Sequence, residues 1–461
     1  MTIRIFAVPF IGLTLLVAPS VMAKDVEPPE TASTVIREQA RTFDVPGIAV
    51  ASIRDGEVAW IETYGKASDV REVDANTTFN VASLTKPMFA TLVMHLVASD
   101  AFSLDEPLAD HWVDPDVADD ARHQKLTARL ALSHQSGLPN WRGRNALAFQ
   151  FEPGVRHEYS GEGFEYVRRA VERATEESLE RLMEIHVTGP ANMPDTHFGW
   201  TDAIEPSIVT GYREDGSALD GAYLRRRGPN AAANTFSTIG DIASFAAWVA
   251  RGADLPQSQF TTMTTPQAVH DNPAESFSIG WRVVPVNGRN VLMHDGREGG
   301  LRTLMIVDPT ERNGLVILTN SSNGELVTRG IIDEALPGGD ALNRQVDLDV
   351  WKFMAGQPPE TQAGLIGFIA RSPTFTGKLL YAVQSALLTD SGLGEPEIDE
   401  ALVLVGEVIE AHHAGTIDAN ALSGQLALLD GDPGEGVLLT NDFDAEQARA
   451  WIDGLRGLLQ R

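Results

Sequence analysis

Apolar and polar positions change period several times along the chain, and the changes outline its elements. Over residues 31–42 apolar side chains return every three to four positions, which predicts an amphipathic helix. The run Gly47-Ile48-Ala49-Val50-Ala51-Ser52-Ile53 is followed by Arg54-Asp55-Gly56 and then Val58-Ala59-Trp60-Ile61, the pattern of two strands joined by a tight turn. From residue 83 to about 252 the spacing is mainly helical, interrupted at Gly137-Leu138-Pro139 and Glu152-Pro153-Gly154. Strand patterns return over 279–286, 291–294, 304–308 and 314–319. Both ends of one segment therefore supply a sheet and its middle supplies helices. The expectation is an α/β (α+β) fold, an antiparallel sheet flanked by helices with an inserted all-helical region.

The pattern changes again at both termini. Arg4, an apolar run over residues 5–17 and then Ala18-Pro19-Ser20-Val21-Met22-Ala23 have the form of a cleaved secretory signal, residues 1–23. That run falls short of the roughly 20 apolar residues a spanning helix needs, so no membrane span is expected after cleavage. The expected location is secreted, in the periplasm. The main unit is expected over residues 24–343. Beyond it, Ile398, Leu402, Val405 and Ile409, and again Ala448, Ile452, Leu455 and Leu459, fall at helical spacing. Asp444 and Gln447 are placed as a capping box ahead of the last of these. They predict a helical C-terminal extension over residues 344–461 that packs on the main unit and carries no chemistry; any partner of this tail is undefined.

Composition narrows the chemistry. Against 64 acidic residues stand 36 basic ones, a net charge of −28 in 461 residues. Such a balance repels phosphate backbones and anionic headgroups, so nucleic acid is excluded as an expected partner. The acids are scattered, as solubility requires, rather than massed. No cysteine occurs, which removes thiol nucleophiles, thiolate metal sites and disulfides together. A zinc-protease His-Glu-x-x-His and a Gly-x-Ser-x-Gly elbow are absent, Gly377-Lys378 is followed by Leu379 rather than a phosphate-loop hydroxyl, and Gly161-Glu162-Gly163 lacks the third glycine of a dinucleotide loop. His412-His413 lacks the further ligands of a metal site. No metal or cofactor is expected.

What remains is Phe79-Asn80-Val81-Ala82-Ser83-Leu84-Thr85-Lys86, opening an apolar helical stretch that includes Phe89, Leu92, Val93 and Leu96. One helical turn separates Ser83 from Lys86, so the amine can reach the hydroxyl. A serine hydroxyl needs a neighbouring base, and a lysine serves only if burial or nearby cations lower its pKa from about 10.4. By itself Ser-x-x-Lys reads more often as a helix cap and a solvated side chain.

Other segments change that balance: Pro46-Gly47-Ile48-Ala49-Val50, Leu132-Ser133-His134-Gln135-Ser136-Gly137-Leu138-Pro139, Tyr159-Ser160-Gly161, Ser237-Thr238-Ile239-Gly240-Asp241-Ile242-Ala243, Gly280-Trp281 and His294-Asp295-Gly296. In this order, over about residues 31–341, they resemble the serine β-lactamase and penicillin-binding protein superfamily, in its class C β-lactamase and D-alanyl-D-alanine carboxypeptidase branch. The resemblance implies a β-lactamase/transpeptidase-like fold and an exported serine hydrolase working through an acyl-enzyme on small-molecule or peptide substrates. Ser83 is similar to the acylated nucleophile, Lys86 to its activating amine and Tyr159 to the tyrosine of Tyr-x-Asn, a proton shuttle whose anion Lys86 would stabilise, so that the two titrate together. His294-Asp295-Gly296 is similar to the Lys-Thr-Gly strand in its His-x-Gly form, in which Gly296 admits the substrate backbone and the N–H of Arg297 joins that of Ser83 in an oxyanion hole.

Two positions depart from the pattern. Gly161 lacks the amide of Tyr-x-Asn, which would hold the lysine and contact the acyl side chain, and this puts efficient β-lactam hydrolysis in doubt. His294 lacks a permanent charge for a substrate carboxylate, a role left to Arg297 or Arg302. His134 reads as a fold-shaping loop residue, and Trp141 reads as ordinary packing with a cleft wall as the alternative. A carboxylesterase on the same fold, like the family VIII esterases, and a non-catalytic penicillin-binding-like receptor are the two rival functions.

Overall fold

The apolar run after the first helix becomes the centre of the molecule because it is covered on both sides. In this computed structural model, described over residues 27–226, 228–267, 276–343, 345–346 and 445–460 with isolated positions 393, 397, 400 and 404, β1 (Gly47–Arg54) pairs antiparallel with β2 (Glu57–Ser68) and with the distant β10 (Asn313–Thr319). Strands β3 (Arg71–Glu72), β7 (Arg282–Val286), β8 (Arg289–Glu298) and β9 (Leu301–Asp308) complete a seven-stranded sheet in the order β3-β2-β1-β10-β9-β8-β7. Ile48 and Val50 of β1, Leu304 and Ile306 of β9 and Leu315 and Ile317 of β10 point to one face. There they meet α1 (Glu30–Thr42) and α8 (Thr328–Ala335), which contribute Ile36, Ala40, Ile331 and Ile332. Ala49, Ala51, Met305, Val307, Val316 and Leu318 point to the other face. A strand buried on both faces loses its polar alternation, which is why these segments read as continuous apolar runs.

The second face carries α6 (Ile239–Ala250) directly on the sheet, and beyond it α2 (Thr85–Ala98), α3 (Ala128–Leu132), α4 (Gly161–Thr175), α5 (Leu179–Met183) and α7 (Gln257–Thr264). Helix α2 is buried nearly all round, from Thr85 through Met94, so it runs through the core instead of lying on it. The stretch between the sheet's two halves is less helical than its spacing predicts. Residues 99–160 hold only α3 and short 3₁₀ turns at Leu108–Asp110, Pro115–Val117 and Ala121–Lys125. Their apolar side chains, among them Leu104, Leu108, Val117 and Phe149, anchor loops to the core one at a time, while Asp114 and Asp120 cap the turns by accepting the N–H groups of Asp116 and Arg122. A small second sheet, β4 (Phe79–Asn80), β6 (Thr235–Ser237) and β5 (His197–Phe198), also escapes the sequence pattern, since its strands of two or three residues are too short to show a period.

Of the C-terminal extension, α9 (Ala445–Leu459) is described, with Ile452 and Leu455 buried and Arg449 and Arg456 paired to Glu397 and Glu400. The signal segment, residues 1–23, and the positions Ile398, Leu402, Val405, Ile409, His412, His413 and Asp444 lie outside the described residues. Among the described residues no helix is long and apolar enough to cross a membrane, and no group of three acidic or histidine side chains is placed to hold a metal ion.

Candidate active site

Ser83 sits in a 3₁₀ turn, Ala82–Leu84, that runs directly into α2. Ala82 just before it adopts φ +49°, the left-handed region that costs a residue with a Cβ on the order of 1 kcal/mol. Two bonds hold it there: the Ala82 N–H donates to Asn80 Oδ1 at 2.8 Å, and its carbonyl accepts Thr85 Oγ1 at 2.7 Å. The turn leaves Ser83 part-exposed while Lys86, three residues on, has no exposed surface. Lys86 Nζ lies 3.2 Å from Ser83 Oγ and 2.9 Å from the carbonyl of Ala232. Three rings surround the amine, Tyr159 at 4.6 Å, Phe164 at 5.6 Å and Trp141 at 5.9 Å from their centroids. With no carboxylate in contact, burial dominates and pushes the Lys86 amine down to about 7, against the weaker pull of Asp295 and Glu165.

Tyr159 lies beside Ser83, whose side chain favours the phenolate, but burial dominates and pushes the phenol well above the usual tyrosine range. Lys86 is not among the groups that shift this phenol, which burial keeps protonated. Its ring lies on His134, with centroids 4.2 Å apart and planes 29° apart, and meets Phe277 edge-on. His134 is fully buried, has φ +61° and accepts the Ser160 N–H on Nδ1 at 3.0 Å, so it forms the floor under Tyr159 rather than serving the loop alone. Burial and the nearby Lys86 hold this imidazole neutral.

Strand β8 closes the other side and extends four residues past its apolar pattern, through His294-Asp295-Gly296-Arg297 to Glu298. His294 and Gly296 point inward, Asp295 and Arg297 outward. A Cβ on Gly296 would lie 2.6 Å from the Val81 carbonyl and 3.2 Å from the Ser83 nitrogen, so only glycine lets the strand approach the Ser83 backbone this closely. His294 donates from Nδ1 to its neighbour's carbonyl, Asp295 O, at 2.7 Å, and burial holds the ring well below its ordinary pKa. Its Nε2 is therefore a bare acceptor, buried without a protein partner.

The two arginines expected to receive a substrate carboxylate are already engaged. Arg302 Nε pairs with Glu325 at 2.6 Å and its Nη1 donates to the carbonyls of Leu301 at 2.8 Å and Glu298 at 3.1 Å. Arg297 lies between Glu325 at 3.0 Å and Asp295 at 3.4 Å. Glu325 is the residue that sequence reasoning lacked; no local motif links it to β8. The Ala232 carbonyl escaped for a deeper reason, since a backbone acceptor leaves no signal in residue type.

The amine's position gives a pH signature. The kcat/KM for an activated ester is expected to fall about tenfold per pH unit below about pH 7 and to level off above it, because only the neutral amine accepts the serine proton. His294 does not titrate in that window, and a Tyr159 base would place the rise above pH 10. A profile flat from pH 5 to 9 would remove Lys86 as the base.

Comparison with known proteins places these residues in context. A family model described as Beta-lactamase matches residues 32–336. A D-aminopeptidase of Gluconobacter oxydans is 24% identical over 404 residues, covering 81% of this chain and 74% of its own. A putative D-alanyl-D-alanine carboxypeptidase of Escherichia coli is 22% identical over 343 residues, covering 60% and 78%. Among solved structures, the octameric penicillin-binding protein homologue from Pyrococcus abyssi superposes with a TM-score of 0.59 at 19% identity over 70% of this chain and 80% of that one, a likeness of fold.

Proposed function

The chain belongs to the Beta-lactamase family, whose members here are serine hydrolases acting on amides or esters, and from that premise we propose an exported acyl-hydrolase working through Ser83. One observation carries the reading: a buried amine with no carboxylate in contact, 3.2 Å from the hydroxyl of a part-exposed serine. The neutral Lys86 takes the proton of Ser83 Oγ as that oxygen attacks the carbonyl carbon. The N–H groups of Ser83 and Arg297 receive the developing oxyanion. Tyr159 gives its proton to the departing amine or alcohol, and Lys86 returns one to the phenolate. Water then enters, loses a proton to the same pair and releases the acid, restoring Ser83.

The surroundings favour small esters or amides without an anchored carboxylate. His294 offers a bare acceptor where a cation would bind such a group, and Arg297 and Arg302 are paired to Asp295 and Glu325. A substrate N–H or O–H fits that acceptor better, consistent with a D-aminopeptidase among the relatives.

The test is a panel on the mature protein: short-chain nitrophenyl esters, aminoacyl nitroanilides, nitrocefin and D-alanyl-D-alanine peptides, each with wild type and Ser83→Ala. Esters and aminoacyl anilides are expected to turn over in a Ser83-dependent way, with the carboxylate-ended peptides at least about tenfold slower. Stable labelling by a fluorescent penicillin with no turnover of any substrate would instead support a receptor.

A further inference from the structure

Trp141 is 46% exposed beside Lys86, yet the chain on either side of it is tied down. Its two neighbours are tied to the start of α4. Asn140 accepts the Gly161 N–H on Oδ1 at 3.0 Å and the Glu162 N–H on its carbonyl at 3.1 Å. Arg142 binds the Glu162 carboxylate through its backbone N–H at 3.1 Å and Nε at 2.9 Å. The same guanidinium reaches Asp114 at 2.6 Å and Asp116 at 3.1 Å. Such a clamp fixes the loop before anything binds, so no ordering cost is left for the ligand to meet.

The clamp lays the indole over position 161. A Cβ built there would stand 2.7 Å from two indole carbons, Cζ2 and Cη2, and 2.9 Å from the Asn140 carbonyl, contacts that real side chains do not make. Gly161 and Trp141 are therefore one device: the glycine vacates the space and the indole fills it, with its ring 5.9 Å from Lys86 Nζ. An amide at this place would offer polar partners to an acylamino group. An indole face offers none, but it covers carbon.

Resting on the acyl-hydrolase reading above, we propose that Trp141 determines acyl-group specificity, its indole forming the wall against which an apolar acyl chain packs. The substrate class is then a short aliphatic or aromatic acyl group rather than an acylamino one.

The experiment compares nitrophenyl acetate, butyrate and hexanoate on wild type, Trp141→Ala, Trp141→Phe and Gly161→Ala. Each kcat/KM is divided by that of acetate in the same preparation, so losses of folded protein or of general rate cancel. Wild type is expected to favour hexanoate about tenfold, what roughly two methylenes laid on an apolar surface contribute. Trp141→Ala is expected to bring the ratio within about twofold of unity, and Trp141→Phe to keep much of it. Gly161→Ala leaves the indole in the chain but displaces it, and is expected to flatten the ratio as well. A ratio unchanged in Trp141→Ala or in Gly161→Ala overturns the proposal while leaving the acyl-hydrolase reading intact. No Ser83-dependent turnover in wild type overturns both.

Discussion

Replacing Lys86 by methionine is expected to lower kcat/KM by at least about a thousandfold on every substrate the wild type hydrolyses, with Ser83→Ala reaching the same floor and the double variant no lower. We take Lys86 as the base because its Nζ is 3.2 Å from Oγ and burial brings its pKa down to about 7, whereas Tyr159, also beside Ser83, is pushed up, and His134 and His294 are packed elsewhere, one under Tyr159 and one against its own strand. Methionine keeps most of the buried stem's volume, so the loss reports chemistry rather than a cavity. Folding is expected to survive, because no carboxylate contacts the amine and none is left unpaired when it goes; the orphaned group is the Ala232 carbonyl, at a cost of about 1–3 kcal/mol. Thermal unfolding of the variant separates the two effects. A Lys86→Met protein that keeps more than about a tenth of the wild-type rate would show that another group is the base.

The same pair shows how far the sequence carries the argument. Spacing alone puts Lys86 one turn from Ser83, but the motif by itself reads as a cap and a solvated side chain, and the amine's burial and depressed pKa come from the packing around α2. The sheet is more legible: β1, β9 and β10 are buried on both faces and read as unbroken apolar runs. Where the chain turns polar the pattern ends before the strand does. Residues 295–298 continue β8 through backbone pairing with β9, Gly296 opposite Thr303 and Arg297 opposite Arg302, and pairing has no residue signature. Long-range partners are hidden in the same way. Glu325 pairs with two arginines from beyond β10, and Trp141 packs over Gly161, contacts that neither the carboxylate-anchor reading nor the packing reading of those residues could draw on. Tyr159 marks the remaining gap. Its place in the site follows from the motif, but its protonation depends on His134 and Phe277 packed around it, and contacts between rings far apart in sequence cannot be read from spacing.

That protonation state leads to the second large effect. Tyr159→Phe is expected to reduce kcat by about 100- to 1000-fold for amide substrates and by no more than about tenfold for nitrophenyl esters. A phenol kept protonated by burial has a proton to give but is a weak acid, so it serves a strongly basic leaving group such as an amine, and it lies beside Ser83, whose Oγ is bonded to the carbon from which that group departs. An amine must be protonated as the tetrahedral intermediate collapses, or the bond to Ser83 breaks instead; a nitrophenolate leaves without a proton. Phenylalanine keeps the stacking on His134 and the edge contact with Phe277, so the site's shape and KM should change little. If Tyr159 instead served as the base for acylation, both substrate classes would lose rate equally, because both require the serine proton to be taken. Equal losses on an aminoacyl anilide and its matching ester would therefore transfer the proton-accepting role from Lys86 to Tyr159, whereas a loss confined to the amide fixes the phenol as the acid of the first step.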